Sequence, residues 1–124
     1  SYLGFTDSVD KIKVDLIELL NNLKSQGKKV VAYGATSKST TVTNYFGITP
    51  ELVKCIFDTT PIKHNKLSPG AHIPILPYEQ FHQSNPDYVL LFAWNHAIEI
   101  MEKEQDFMDV NKHWITYIPE VKVS

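Results

Sequence analysis

The residues best suited to chemistry follow Gly34. In the run Ala35-Thr36-Ser37-Lys38-Ser39-Thr40, four hydroxyl side chains surround one lysine. Hydroxyls, an ammonium group and the free backbone N–H groups of a starting helix are a donor set that suits a phosphate. A polar helix N-terminus capped by ordinary Ser and Thr residues has the same composition, so both readings stand. Further candidates are scattered along the chain. Asp58 ends an apolar run, where dinucleotide-binding folds place the acid that receives ribose hydroxyls; its other role is to cap the next turn. Lys63 and Lys66 can reach a phosphate or simply be solvated. His72 can bind a ligand hydroxyl, act as a general base or hold loop backbone, and no other catalytic residue is assigned. Trp94 can stack on a ligand ring or pack in the core. Asn95 is first a helix cap and second a ligand contact, with His96 beside it.

These side chains need a scaffold, and the hydrophobic pattern supplies one. Ser1–Asp7 reads as a lead-in, with Thr6, Asp7 and Ser8 as cap candidates. Val9, Ile12, Leu16, Leu19, Leu20 and Leu23 then recur at helical steps, with Lys24 in the last turn and Gly27 as the stop. Val30–Tyr33 is a short apolar strand broken at Gly34. A helical stretch follows, with Val42, Tyr45 and Phe46 inward and Gly47 as its end. Val53–Asp58 is the second strand, which makes its Cys55 buried and inert. Thr59–Ala71, rich in Pro, Lys and Asn, is a long loop.

His72–Leu76 reads as a short strand closed by Pro77, Tyr78–His82 as one helical turn, and Ser84-Asn85-Pro86 as a turn. Asp87–Ala93 is the clearest strand, apolar almost throughout, as expected when both faces are covered. A helix from about Asn95 to Phe107 would put Ala97, Ile98, Met101 and Phe107 inward and Glu99, Glu102 and Glu104 outward. His113–Ile118 is the last strand. His64, His82 and His113 have no partner visible in the sequence.

Strands alternating with helices predict an α/β fold, a Rossmann-like three-layer sandwich with a mainly parallel sheet of about five strands. The loops at the C-terminal strand edge would then be Gly34–Thr40, Asp58–Ala71 and Trp94–His96.

A chain of 124 residues, 43% hydrophobic and 21% charged, fits one ordinary globular domain. A net charge of −2 without a basic block argues against a nucleic-acid surface. No apolar run approaches the ~18 residues that cross a bilayer, and no signal segment is visible. A single cysteine excludes an internal disulfide framework and a cysteine-based metal site, and fits a cytoplasmic location. The loop also fails two phosphate motifs. Thr36 and Ser39 replace the second and third glycines of the dinucleotide fingerprint, which argues against NAD. Ala32 and Ser37 replace glycines of the Walker A pattern, which argues against ATP hydrolysis.

Taken together, Tyr33-Gly34-Ala35-Thr36-Ser37-Lys38-Ser39-Thr40-Thr41 and Asn44-Tyr45-Phe46-Gly47-Ile48 resemble the C-terminal domain of SAM-dependent sugar C-methyltransferases. The similarity continues through Asp58, Pro61, Lys63, Pro69-Gly70 and His72-Ile73-Pro74-Ile75. It resumes at Asp87-Tyr88-Val89-Leu90-Leu91, Ala93-Trp94-Asn95 and Glu99-Ile100. Ser39 departs from the pattern, since many members carry glycine there. The resemblance implies one domain over residues 1–124, the third part of a longer enzyme that also has a zinc-binding region and a SAM-binding domain. It implies a nucleotide-linked keto-deoxysugar as ligand, the parent's SAM-binding domain as partner, and a role in substrate positioning. Gly34 through Thr40, Asp58, Lys63, His72, Trp94 and Asn95 would contact that substrate. SAM would be bound elsewhere in the parent, with no cofactor or metal on this chain, and the chain alone would be inactive. The rival readings are a free-standing nucleotide- or CoA-binding module and a non-catalytic interaction domain.

Overall fold

The computed structural model describes residues 2–34, 43–58, 66–67, 72–92, 96–108, 111–117 and 120–124, with backbone only for 2–9 and 66–67. Helix α1 (Tyr2–Ser25) is followed by strands β1 (Val30–Tyr33), β2 (Ile56–Asp58), β3 (Lys66–Leu67) and β4 (Pro74–Pro77). A 3₁₀ turn (Tyr78–Gln80) runs into α2 (Phe81–Ser84). Strand β5 (Tyr88–Leu91), helix α3 (Ala97–Lys103), β6 (His113–Thr116) and β7 (Lys122–Val123) complete the chain. Residues 43–46 are also helical.

Among the described residues, seven strands form one sheet in the order β3-β4-β2-β1-β5-β6-β7. The five central strands are all parallel, and only the two-residue edge strands β3 and β7 run antiparallel. Strand order reverses between β1 and β5, the switch point of a Rossmann-like sheet. The apolar runs that mark β1 and β5 in the sequence serve both faces. Val30, Ala32, Leu90 and Phe92 join one core with Ile12, Leu16, Leu20 and Leu23 of α1. Val31, Tyr33, Val89 and Leu91 join a second core with Phe57, Phe81 and Trp114. Leu16 and Leu20 are fully buried, so truncating either to alanine costs about 2–5 kcal/mol.

Both glycine stops act through the same closure. Gly27 has φ 75, its N–H donates to Lys24 O at 3.0 Å, and Lys28 N–H donates to Leu23 O at 3.0 Å. At Gly47, φ is 70, and Ile48 N–H reaches back to Thr43 O at 2.9 Å. These long backward bonds satisfy the last helix carbonyls and need a left-handed residue that glycine adopts without strain.

The structure corrects several boundaries. Helix α1 starts at Tyr2, so Tyr2–Asp7 is helix rather than lead-in, and Thr6, Asp7 and Ser8 lie inside it. Such residues cost only a few tenths of a kcal/mol at a helix position. Tyr45 is 49% exposed rather than inward: Lys13 Nζ lies 5.3 Å from its ring centre, and its hydroxyl meets Asp10 Oδ1 at 3.4 Å. Ile98 is 74% exposed. Helix α3 begins at Ala97 and ends at Lys103, with His96 in the cap position instead of Asn95.

Candidate functional site

The C-terminal edge of the parallel strands is level at its centre. Tyr33 pairs with Phe57 on one side and Leu91 on the other. Gly34 then turns with φ 90, a left-handed value open to glycine, while its N–H donates to Phe57 O at 2.8 Å. Asp58, buried at 9% exposure, is the next residue along β2. Phe92 N–H donates to Tyr33 O at 3.1 Å, which fixes the third strand end. The fold therefore brings Gly34 and Asp58 together, beside the point where the chain leaves β5. Ala35, Thr36, Ser37, Lys38, Ser39, Thr40, Lys63, Trp94 and Asn95 lie outside the described residues.

His72 is placed elsewhere. Asp58 pairs with Pro77 at the end of β4, and His72 precedes the start of that strand. Five residues of extended chain separate His72 from that level, about 16 Å along the strand direction. It is exposed, with a left-handed φ of 59, at the N-terminal edge of the sheet. The fold does not bring it to Gly34 and Asp58.

A polar cluster lies just beneath the C-terminal edge, inside the second core. Glu104, expected to face outward, is 2% exposed. Its Oε2 accepts hydrogen bonds from Tyr78 Oη at 2.6 Å and Tyr33 Oη at 3.2 Å. His82 Nε2 lies 2.7 Å from its Oε1. Burial works to raise the Glu104 pKa, but the hydrogen bonds from Tyr78, His82 and Tyr33 outweigh it and hold the carboxyl below its usual value. Burial, with Glu104 as neighbour, pushes the Tyr78 hydroxyl up to about 12 and raises Tyr33 further.

Aromatic rings flank the cluster, while the His82 side chain stays 52% exposed. The Tyr33 ring meets Tyr78, Phe81 and Trp114 edge-on at 5.8, 5.2 and 6.0 Å. His82 stacks on Phe107 at 4.4 Å, and Lys103 Nζ lies 4.2 Å from the Tyr78 ring centre. No sequence spacing announces Glu104, because its partners lie 71, 26 and 22 residues away. The one available signal was a tyrosine closing an apolar strand, since a buried tyrosine hydroxyl seeks a partner.

Cavities flank the opposite edge of the sheet. One, of about 550 Å³, is lined by Lys29, Lys54, Cys55 and Phe57 among others. Another, of about 440 Å³, lies by His113 and Trp114 at the start of β6. Cys55 is buried as expected, and burial pushes its thiol up to about 11. Among the described residues no group of three His, Cys, Asp or Glu side chains is placed to hold a metal. No described helix is long and apolar enough to cross a membrane.

Residues 1–119 match the family model described as the C-methyltransferase C-terminal domain. Over 122 residues the chain is 35% identical to the C-methyltransferase NovU of Streptomyces niveus. That alignment covers 98% of this chain and 29% of NovU, so the chain spans less than a third of this curated relative.

Proposed function

The chain belongs to the C-methyltransferase C-terminal domain family, and on that premise we propose that it positions a nucleotide-linked keto-deoxysugar for methylation by a SAM-dependent parent enzyme. The observation that carries this reading is the pairing of Gly34, at the end of the strand that borders the switch point, with the end of β2. It sets a left-handed glycine turn and the buried Asp58 side by side. Ligands of open α/β sheets sit at this edge. The hydroxyl and lysine run from Thr36 to Thr40 departs from Gly34 and supplies diphosphate donors, with Lys38 as the charge. Asp58 receives ribose or sugar hydroxyls, while Lys63, Trp94 and Asn95 complete the contacts. His72, at the other edge, is the weakest member of the set.

SAM supplies the methyl group in this scheme and is held by another part of the parent. The turn at Gly34 does not fit it as a dinucleotide-type loop would, because Thr36 and Ser39 carry side chains where close backbone approach needs glycine. This chain's contribution is orientation, which converts an encounter between two reactants into an arranged one. A single buried cysteine accords with a cytoplasmic setting.

The test is a titration of the ¹⁵N-labelled chain with uridine diphosphate and thymidine diphosphate. Shifts at Gly34 and through Thr40 are expected. Unchanged amides across that run with both nucleotides would overturn the reading.

A further inference from the structure

The Glu104 cluster joins three parts of the chain that have no other reason to meet in sequence. Tyr33 is the last residue of β1 and immediately precedes Gly34. Glu104 directly follows α3, the helix that begins just past the β5 exit, and its N–H is still bonded to Ile100 O at 3.0 Å. Tyr78 and His82 belong to the segment that leaves β4. One buried carboxylate therefore receives hydrogen bonds from the β1 end and the β4 exit while being anchored to the helix behind β5.

We infer that Glu104 is a positioning residue for the ligand edge, fastening the strand end that leads into Gly34 to the helix that follows β5. This rests on the sugar-nucleotide reading for its ligand, but the fastening itself does not need that ligand. The chemistry favours a fixed geometry over a filler role. A buried carboxylate is costly unless several donors satisfy it, and an apolar side chain of similar volume would fill the same space without that cost. What the carboxylate adds is direction: Tyr33 and Tyr78 must aim at a single oxygen, Oε2, and His82 at the other. Second-layer hydrogen bonds of this kind hold the groups that touch ligand at the required angle. The rings packed around Tyr33 leave its hydroxyl little freedom to seek another acceptor.

Two variants of the ¹⁵N-labelled chain test this. Tyr78→Phe keeps the ring and removes one donor, and Glu104→Gln keeps the shape and removes the charge. The Gly34 and Ala97 amides are expected to shift together in both variants without any nucleotide, although neither amide adjoins the altered residue in sequence. If the wild-type chain binds uridine or thymidine diphosphate, both variants are expected to raise Kd by about three- to tenfold while their spectra stay dispersed. A merely structural role would lower the unfolding midpoint and leave the Gly34 and Ala97 amides and the Kd unchanged, and that result would overturn the inference. Should Glu104→Gln fail to fold, Tyr78→Phe decides alone. Failure of the wild-type chain to bind either nucleotide would remove the sugar-nucleotide reading, while the ligand-free amide shifts still decide the fastening.

Discussion

The Tyr78 hydroxyl donates a 2.6 Å hydrogen bond to Glu104 Oε2, a carboxylate only 2% exposed. Removing the acceptor leaves the Tyr33 and Tyr78 donors without it in a core that offers little water. Glu104→Ala is therefore expected to destabilise the chain by about 2–4 kcal/mol, read as a lowered urea midpoint with an unchanged slope. Glu104→Gln, which still offers one acceptor, should cost less.

The same carboxylate gives stability a pH dependence of defined sign. Burial opposes its ionisation, and the hydrogen bonds from Tyr78, His82 and Tyr33 overcome that and lower its pKa in the folded state. A lowered folded value means that the unfolded chain takes up the proton first as pH falls. The contribution is whole above the unfolded carboxylate value of about 4.3 and is lost as pH drops through the folded one. Acid titration of the unfolding midpoint should be steeper for the wild-type chain than for Glu104→Gln.

At the alkaline end the tyrosines act in the opposite sense. Tyr78 and Tyr117 are each raised to about 12, Tyr117 by burial alone. Their contribution is present below the ordinary tyrosine value of about 10 and is lost as pH rises toward 12. Tyr78→Phe should flatten part of that alkaline loss in the same unfolding assay.

Gly47 isolates the cost of a backbone conformation. Its φ is 70, and a Cβ built there would meet nothing within 4 Å. Gly47→Ala should therefore cost about 1–2 kcal/mol from the left-handed conformation alone. Gly47→Asn should recover part of it. Urea unfolding of the pair measures both.

Lys38→Ala should weaken nucleoside diphosphate binding by roughly 1–3 kcal/mol if the ammonium meets phosphate directly, measured by calorimetry or by amide titration. With SAM and a keto-sugar nucleotide, the chain alone is expected to transfer no methyl group. Turnover by this chain would show that it holds the methyl donor itself.

How much was legible depended on how local each signal was. The five parallel strands announce themselves through apolar runs such as Val30–Tyr33 and Tyr88–Leu91, because strands covered on both faces leave no place for alternation. Gly27 and Gly47 were readable because a helix stop is written in one residue. The edge strands at Lys66–Leu67 and Lys122–Val123 were not, since two residues carry no period. Of the candidate site, Gly34 and Asp58 could be placed at strand ends from the pattern alone. His72 reads as the start of a strand, which already puts it at the opposite edge from Gly34 and Asp58; it is grouped with them through the resemblance. Glu104 read as a surface helix residue because its three partners come from other elements, and a charged residue is exposed far more often than satisfied inside.

The pairing of β1 with β5 has a mechanical consequence. Four successive residues of each strand are in register, from Val30 with Tyr88 to Tyr33 with Leu91. The two strand ends that lead to Gly34 and Phe92 are thus bolted into the middle of the sheet. Among the described residues, the two strand ends cannot part without breaking the central ladder.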